Sequence, residues 1–493
     1  MKQIVQIDFK KERKNVVQES FVIFAPLKGF HIDINERDCL EAGLFVAIYA
    51  PDGGLRFQKL MAYGKKEIGL SENGMHTTIG GIVGAIPSGK WTLVCGGMFQ
   101  KEQDGHVEFV ITDEEIAVED PVGECLWMRP ESGFCLVEEL YPMNKVYCAK
   151  EKWYRGDFHT HTRLSDGKEP VSNAMKKAQD MSLDFYVATE HNLLHTGWRE
   201  TSIMVLPGVE ITTCRGHLNL FGITKRPTLL DELIRTGEES KLEEYMLKIV
   251  EQANEEKWLV SINHPFLHVW KWHLRNIPLA KVQCLEIIND PTYIYAEEAN
   301  RRTVRFIDFL WSHGIQIYGV GGSDSHLLIE ERYENATLPS IAGDPATSVH
   351  CQELSPNGLM ENVRKGHMVV TRFCSIVPEI KGKDITYLPG DELKETEISY
   401  KAVISRLQEE PKVWLIKGND KGVIIKIPLT VYRLEESYMV QTDLNIDREQ
   451  YSWYRLEAES REGNFLGYVN PVFSGKARAG FVTFGEAIDS WEE

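Results

Sequence analysis

The stretch GDFHTHTRLSDG, residues 156–167, opens like a buried strand and then places Asp157, His159, His161 and Asp166 within ten positions. Buried polar groups need partners, so four metal-capable side chains on one strand end are out of place in an ordinary core. They make chemical sense around a cation. Working outward, the same pattern recurs. DFYVATEH, IMVLPGVEIT, WLVSINHP, CLEIIND and IQIYGVGGSDSH read as short strands buried on both faces. Helical spacing appears between them, with apolar residues at Val171, Ala174, Ala178 and Met181, and in residues 229–257 and 294–313. Alternating strands and helices imply parallel strands, and six or seven such units point to a barrel.

On either side the period changes. Residues 1–148 carry runs such as FVIFAPL, LFVAIYA and KWTLVCGGMF between the turn signals PDGG, SENG and PSGK. They read as an N-terminal β-sandwich or jelly-roll. Residues 376–493 alternate again, in ISYKAVISRL and GVIIKIPLTVYRL, and read as a C-terminal Ig-like β-sandwich. The barrel is expected over 149–375.

Composition narrows the function classes. The chain has 493 residues, 55 basic against 73 acidic, and a formal net charge of −18. That balance counts against a nucleic-acid backbone as main partner, which needs clustered Lys and Arg. No apolar run approaches the ~20 residues of a membrane span. Nine cysteines lie scattered without a CxxC pair, which reads as reduced thiols in a cytoplasmic protein.

The polar clusters fall at the C-terminal ends of the expected strands: His159, His161 and Asp166; Glu190 and His191; Glu210 and His217; His264; Asp324 and His326. In a parallel barrel those ends converge on one face. One HxH pair, one strand-end histidine or one SDG turn is ordinary; successive strands all ending in metal-capable residues are not.

The ordered motifs D-x-H-x-H-x3-S-D-G, TEHN, PGVEIT with GH, NHP and GGSDSH resemble those of the PHP (polymerase and histidinol phosphatase) family of metallohydrolases. The flanking β-regions, with NPVFSG at 470–475, resemble its CehA/McbA-type branch. The resemblance implies a distorted (β/α)7 barrel holding two or three divalent ions, with Mn, Fe and Zn all suited to mixed imidazole and carboxylate ligands. It implies His159, His161, Glu210 and Asp324 at one metal, Glu210, His217 and His264 at a second, and Asp166, His191 and His326 at a third. A metal-bound hydroxide would then be the nucleophile, with Glu210 and Asp324 central to catalysis. Arg163 and Arg215 are candidates to hold an anionic substrate, and His268, or else His195, to protonate a leaving group. The aromatic segment 264–276 is either a lid or a patch packed on the N-terminal sandwich. The expected activity is phosphoester hydrolysis of a small anionic, phosphorylated substrate. The alternative is a carboxylic ester, carbamate or amide hydrolase using the same site. A third reading is a carbohydrate- or protein-binding protein with a structural metal. Oligomeric state stays open.

Overall fold

The computed structural model describes residues 1–9, 16–37, 40–99, 105–236 and 238–492. It is a mixed α/β structure, rich in strands and sparing in helices.

The N-terminal region forms two four-stranded antiparallel sheets. One runs Lys2–Phe9, Gly105–Thr112, Gly29–Arg37, Glu67–Ser71; the other runs Val16–Ile23, Gly89–Phe99, Leu40–Tyr49, Leu55–Leu60. Alternation along the strands sends one face inward. Phe21, Phe30 and Trp91 meet in a shared core, with ring centroids 5.4 Å apart for Phe30 and Trp91.

The centre is built on seven strands that neighbour one another in chain order: β1 (Lys152–Asp157), β2 (Phe185–Ala188), β3 (Met204–Thr213), β4 (Gly216–Phe221), β5 (Leu259–Ile262), β6 (Cys284–Asn289) and β7 (Tyr318–Gly322). The expected helices are present as α1 (Val171–Asp180), α2 (Leu230–Arg235), α3 (Glu239–Glu255) and α4 (Ala296–Trp311). The regular strand–helix alternation is not. β1–β2–β3 and β5–β6–β7 are parallel, but β4 runs antiparallel to both neighbours. The reason is local: Thr213 pairs with Gly216, so only Cys214 and Arg215 form the turn, and a two-residue loop can join strands only antiparallel. Gly216 sits there at φ +124°, and a Cβ on it would lie 2.8 Å from the Trp272 ring. Among the described residues no α-helix connects β2 to β3 or β5 to β6.

The first and seventh strands meet without a continuous ladder. Their extensions form one parallel bridge, Thr160 with Ser325, and the Asp324 amide donates to the His159 carbonyl at 2.9 Å. The remaining edge of β7 is satisfied by side chains. The Gly321 amide donates to Thr347 Oγ1 at 2.9 Å, and the Asn470 amide group accepts from the Gly319 N–H and donates to its carbonyl. Asn470 is the first residue of the NPVFSG segment and is fully buried. β1 meanwhile pairs on its other side with β8 (Ala346–Cys351), and β8 with β9 (Met368–Thr371), both antiparallel.

From β9 the sheet continues unbroken into Phe465–Val469, Ser452–Glu459, Lys412–Asn419 and Ile424–Pro428, and Val472–Ser474 pairs with Ser452–Glu459 off this path, making 14 strands in all. A second, five-stranded sheet covers it, with Val369, Tyr400 and Val440 in the core between them. Helix α5 (Pro356–Lys365) lies between β8 and β9. One element departs from the all-β expectation for 376–493: helix α6 (Phe484–Glu492), which packs back on α4 through Phe484 and Trp491, 5.4 and 5.1 Å from the Phe306 ring. Its amphipathic run FGEAIDSWE was hidden among strand signals.

The tie between α4 and the C-terminal sheet is a buried bidentate pair. Arg455 Nε and Nη2 each donate to Asp308 at 2.7 Å. Removing one partner strands the other charge in low dielectric. Arg455→Met is therefore expected to cost about 3–5 kcal/mol, read as a lower urea midpoint; an unchanged midpoint would refute that role.

Candidate metal centre

Glu210 lies on β3 with no exposed surface. The β3–β4 hairpin swings His217 back until its Nδ1 is 3.0 Å from Glu210 Oε1. His264, just beyond β5, brings Nε2 to 3.6 Å of the same oxygen. On the other side, Glu210 Oε2 is 2.7 Å from His191 Nδ1, beyond β2, and 3.6 Å from His161 Nε2, beyond β1. Asp324, past β7, places Oδ1 at 3.0 Å from His161 Nε2 and 3.4 Å from His159 Nε2. Asp166 Oδ1 stands 3.4 and 3.3 Å from the Nε2 atoms of His191 and His326. Every sequence-predicted ligand thus falls in one network.

Three overlapping sets have ligand atoms that all lie within 4.8 Å of one another: His161, Asp166, His191 and His326; His159, His161 and Glu210; Glu210, His217 and His264. His161 joins the first two and Glu210 the last two.

His217 Nδ1 is hydrogen-bonded to Glu210 Oε1, but most of the close approaches are not hydrogen bonds. His159 Nε2, both ring nitrogens of His161, Asp166 Oδ1, Glu210 Oε2 and Asp324 Oδ1 are buried and have no aligned hydrogen-bond partner among the described residues. Orphaned donors and acceptors of this kind are costly, and they converge as ligands on a common cation would. The titration behaviour agrees. Burial alone would raise Glu210 and Asp324, yet facing imidazoles hold both well below the usual carboxylate range. Burial alone would lower His191 and His326, yet Asp166 and neighbouring carboxylates hold them up at about 9 and about 10. His161, buried beside two other imidazoles, is pushed down to about 4. The donor set therefore fits divalent metal ions.

The sequence did not mark the supports as such, although Asp157 and Glu190 stood among its metal-capable residues. Glu286 of β6 accepts from His159 Nδ1 at 2.9 Å and from the His264 N–H at 3.0 Å, which leaves His159 Nε2 facing inward. Asn263 Nδ2 donates to Glu210 Oε1, Asn289 Nδ2 to Asp324 Oδ2. His326 Nδ1 is satisfied by the Asp324 carbonyl at 2.7 Å, so its Nε2 meets Asp166. Asp157 is a clasp: it accepts from the amides of His159, Ser323 and Gly343. Gly322 permits the close packing of β7 on β1, because a Cβ there would lie 2.2 Å from His159 Cβ. Glu190 shapes the 161–166 loop, accepting from the Thr162 N–H and from His195 Nε2 at 2.9 Å. His264 and Asp324 sit at φ +28° and +49°, a strain that functional sites tolerate when neighbours over-determine it.

The network floors a cavity of about 240 Å3, walled by Leu267, Trp270, Asn289, Asp290, Tyr293 and Tyr333. Asp290, at φ +26°, accepts from Tyr333 Oη at 2.6 Å, and burial pushes its carboxyl up to about 6. Its signal was the strand-end position after CLEIIN.

Four proposed substrate or proton-transfer residues lie elsewhere. Arg163 is held by Glu119 and Asp120 of the N-terminal region at 3.1 and 3.4 Å. Arg215 pairs with Glu239 at 2.8 Å and donates to the His273 carbonyl. His268 stacks on Tyr295 at 4.4 Å. His195 is buried against Trp198. None lines the cavity. The 264–276 segment does not pack on the N-terminal sheets. Trp270 walls the cavity, Phe266 packs on Phe306 and Trp491, and Trp272 is buried toward Phe484.

No protein-family model and no curated protein matches the chain. Among solved structures, a two-domain protein containing a predicted PHP-like metal-dependent phosphoesterase from Bacteroides vulgatus ATCC 8482 is similar at 15% identity. The match covers 67% of this chain and 98% of that one, with a TM-score of 0.35.

The shared ligands make metal content a direct check. Asp166→Asn should lower bound metal by one equivalent and Glu210→Gln by more, since Glu210 belongs to two sets; equal losses by elemental analysis would contradict the shared-ligand arrangement. Because His191 and His326 hold protons at neutral pH in the metal-free protein, metal must displace them. Apparent affinity should therefore rise with pH from 6 toward 9, with proton release detectable by calorimetry in buffers of different ionisation enthalpy.

Proposed function

We propose that the chain is a metal-dependent hydrolase of the PHP type, most simply a phosphoesterase acting on a small anionic substrate in a reducing, cytoplasmic setting. The observation that carries the reading is the convergence of orphaned buried imidazole and carboxylate atoms into three sets sharing His161 and Glu210. The finer fold reading, a distorted (β/α)7 barrel, is supported by the sequential strand order and the Thr160–Ser325 bridge.

Bound divalent ions would supply Lewis acidity and lower the pKa of a water toward neutrality. The protein does the rest. Glu210, oriented by Asn263, and Asp324, oriented by Asn289, hold the negative charge that gathers the cations. Glu286 keeps His159 in one tautomer. Trp270, Tyr293 and Leu267 exclude water from the cavity wall. Asp290, which lines the cavity, accepts from Tyr333 and has its carboxyl raised to about 6, would be the group that protonates a leaving group, in place of His268. General acid catalysis contributes roughly 10²–10⁴-fold.

A second reading, cleavage of a carbonyl ester, is favoured by one observation: no Arg or Lys is among the described residues lining the cavity. Phosphate charge would then fall wholly to the metals.

Protein reconstituted with manganese should hydrolyse an aryl phosphate in preference to the matched acetate and lose that turnover to chelator and to His191→Ala. Acetate turnover alone would select the carbonyl reading, and no turnover of either would overturn both. Asp290→Asn is expected to lower kcat about a hundredfold with metal content unchanged; an unaltered kcat would remove it from the mechanism.

A further inference from the structure

The 14-stranded sheet ends at Ile424–Pro428, which pairs with Lys412–Asn419 on one side and with no strand on the other among the described residues. Two hydrogen bonds fix which way its backbone points. The Leu429 N–H donates to the Val413 carbonyl at 2.9 Å, and the Asn419 N–H donates to the Val423 carbonyl at 3.3 Å. Antiparallel ladders alternate, so Val423, Ile425, Ile427 and Leu429 point inward, whereas Ile424, Lys426 and Pro428 point out from the edge. Pro428 has no N–H to give, which is why it is tolerated there. The free edge therefore offers the N–H groups of Ile424 and Lys426 and the carbonyls of all three.

Two further features set this edge apart. First, Ile427 lies opposite Leu415, a residue of the core between the two C-terminal sheets. Ile425 and Ile427 thus belong to the core-facing side, yet they are 47% and 38% exposed. The covering sheet stops at its own edge strand, Val431–Arg433, and Tyr432 and Leu434 add to the apolar rim. Second, edge strands are commonly guarded by a lysine, and here the guard is withdrawn. Lys426 Nζ leans back over Trp414, 4.7 Å from its ring, to meet Glu457 and Glu459 at 2.8 and 3.0 Å. Those carboxylates lie two strands in from the edge.

We propose that this edge pairs with the same edge of a second copy of the chain, in an antiparallel, two-fold register centred on Lys426. The outward groups are self-complementary in that register. Lys426 exchanges both backbone bonds with its counterpart, and each Ile424 N–H donates to the Pro428 carbonyl of the other copy, so every outward N–H is used. Any other centre leaves part of Ile424–Pro428 unpaired. Ile425 then stands directly opposite the other copy's Ile427, in the closer, non-hydrogen-bonded kind of pair. The two pairs roof the core that each copy leaves open. Both free edges are consumed, so the assembly closes at two. The proposal involves no metal ligand and is independent of the hydrolase reading.

Sedimentation equilibrium of the full-length, metal-loaded protein over a dilution series should show monomer and dimer with no larger species. Ile425→Lys and Ile427→Lys alter exposed side chains and leave the inward ladder intact. Each variant that keeps the wild-type melting temperature should dimerise at least about tenfold more weakly. Register is read separately by cysteine pairing. Ile425→Cys mixed with Ile427→Cys should form an inter-chain disulfide under mild oxidation, since directly opposed Cα atoms fall within the ~4.4–6.8 Å that a disulfide spans. Either variant alone, and the wild type with its native thiols, should form far less. Monomer at every concentration would overturn the proposal and leave the edge to a strand of another protein. Growth beyond the dimer, undiminished dimerisation in a stably folded lysine variant, or equal disulfide yield from mixed and unmixed cysteine variants would overturn it as well.

Discussion

A carboxylate with no exposed surface dominates the centre of this protein. Glu210 keeps its charge only because five imidazoles approach it, those of His159, His161, His191, His217 and His264. Taking an ion out of water costs several kcal/mol even after relaxation. A sheet that buries this group must therefore deliver its compensation from several strands at once. That requirement explains why strand ends far apart in sequence, after β1, β2, β5 and β7, converge so closely. Cations among these groups would satisfy in one step what protonated imidazoles satisfy only in part.

Convergence alone would leave the ligands loose. Glu286, Asn263 and Asn289 fix the rotamers of His159, Glu210 and Asp324, while Asp157 spends its carboxylate on three backbone amides to hold β1 against β7. The seam there is sealed by side chains, Thr347 and Asn470, in place of strand pairing. A side-chain seam lets β7 approach β1 at its C-terminal end, where Gly322 makes room for His159, while β8 occupies the rest of the β1 edge.

The outer regions act on the centre through contacts. Glu119 and Asp120 hold Arg163, so the loop bearing His161 and Asp166 is tied down from the N-terminal side. Trp127 stacks on Trp198 at 6.0 Å, and Tyr141 Oη donates to the Val205 carbonyl, extending the central core beyond the seven strands. At the other end Asp308 and Arg455 lock α4 to the C-terminal sheet, and α4 in turn clamps β6 through Asn300.

Much of the centre was legible in sequence because its chemistry is local to strand ends. A buried apolar run that stops at His, Asp or Glu declares both the strand and the side of the sheet on which the polar group emerges, so His159, His161, Glu210, Asp324 and their partners could be named from the chain alone. The three helical stretches, 171–181, 229–257 and 294–313, were also legible, the middle one dividing into α2 and α3. Tertiary structure alone decided the rest. Arg163, Arg215 and His268 stand beside ligand motifs in the chain, but a loop residue's direction depends on which neighbouring carboxylate or ring claims it. Glu286 looked like one more strand residue until β6 was laid between β5 and β7, with its carboxylate reaching His159 beyond the end of β1. The antiparallel β4, the side-chain seam on β7, the helix α6 and the buried pair of Arg455 with Asp308 all arise from pairings between distant segments. Period and composition record what a residue needs; only packing decides which distant group meets that need.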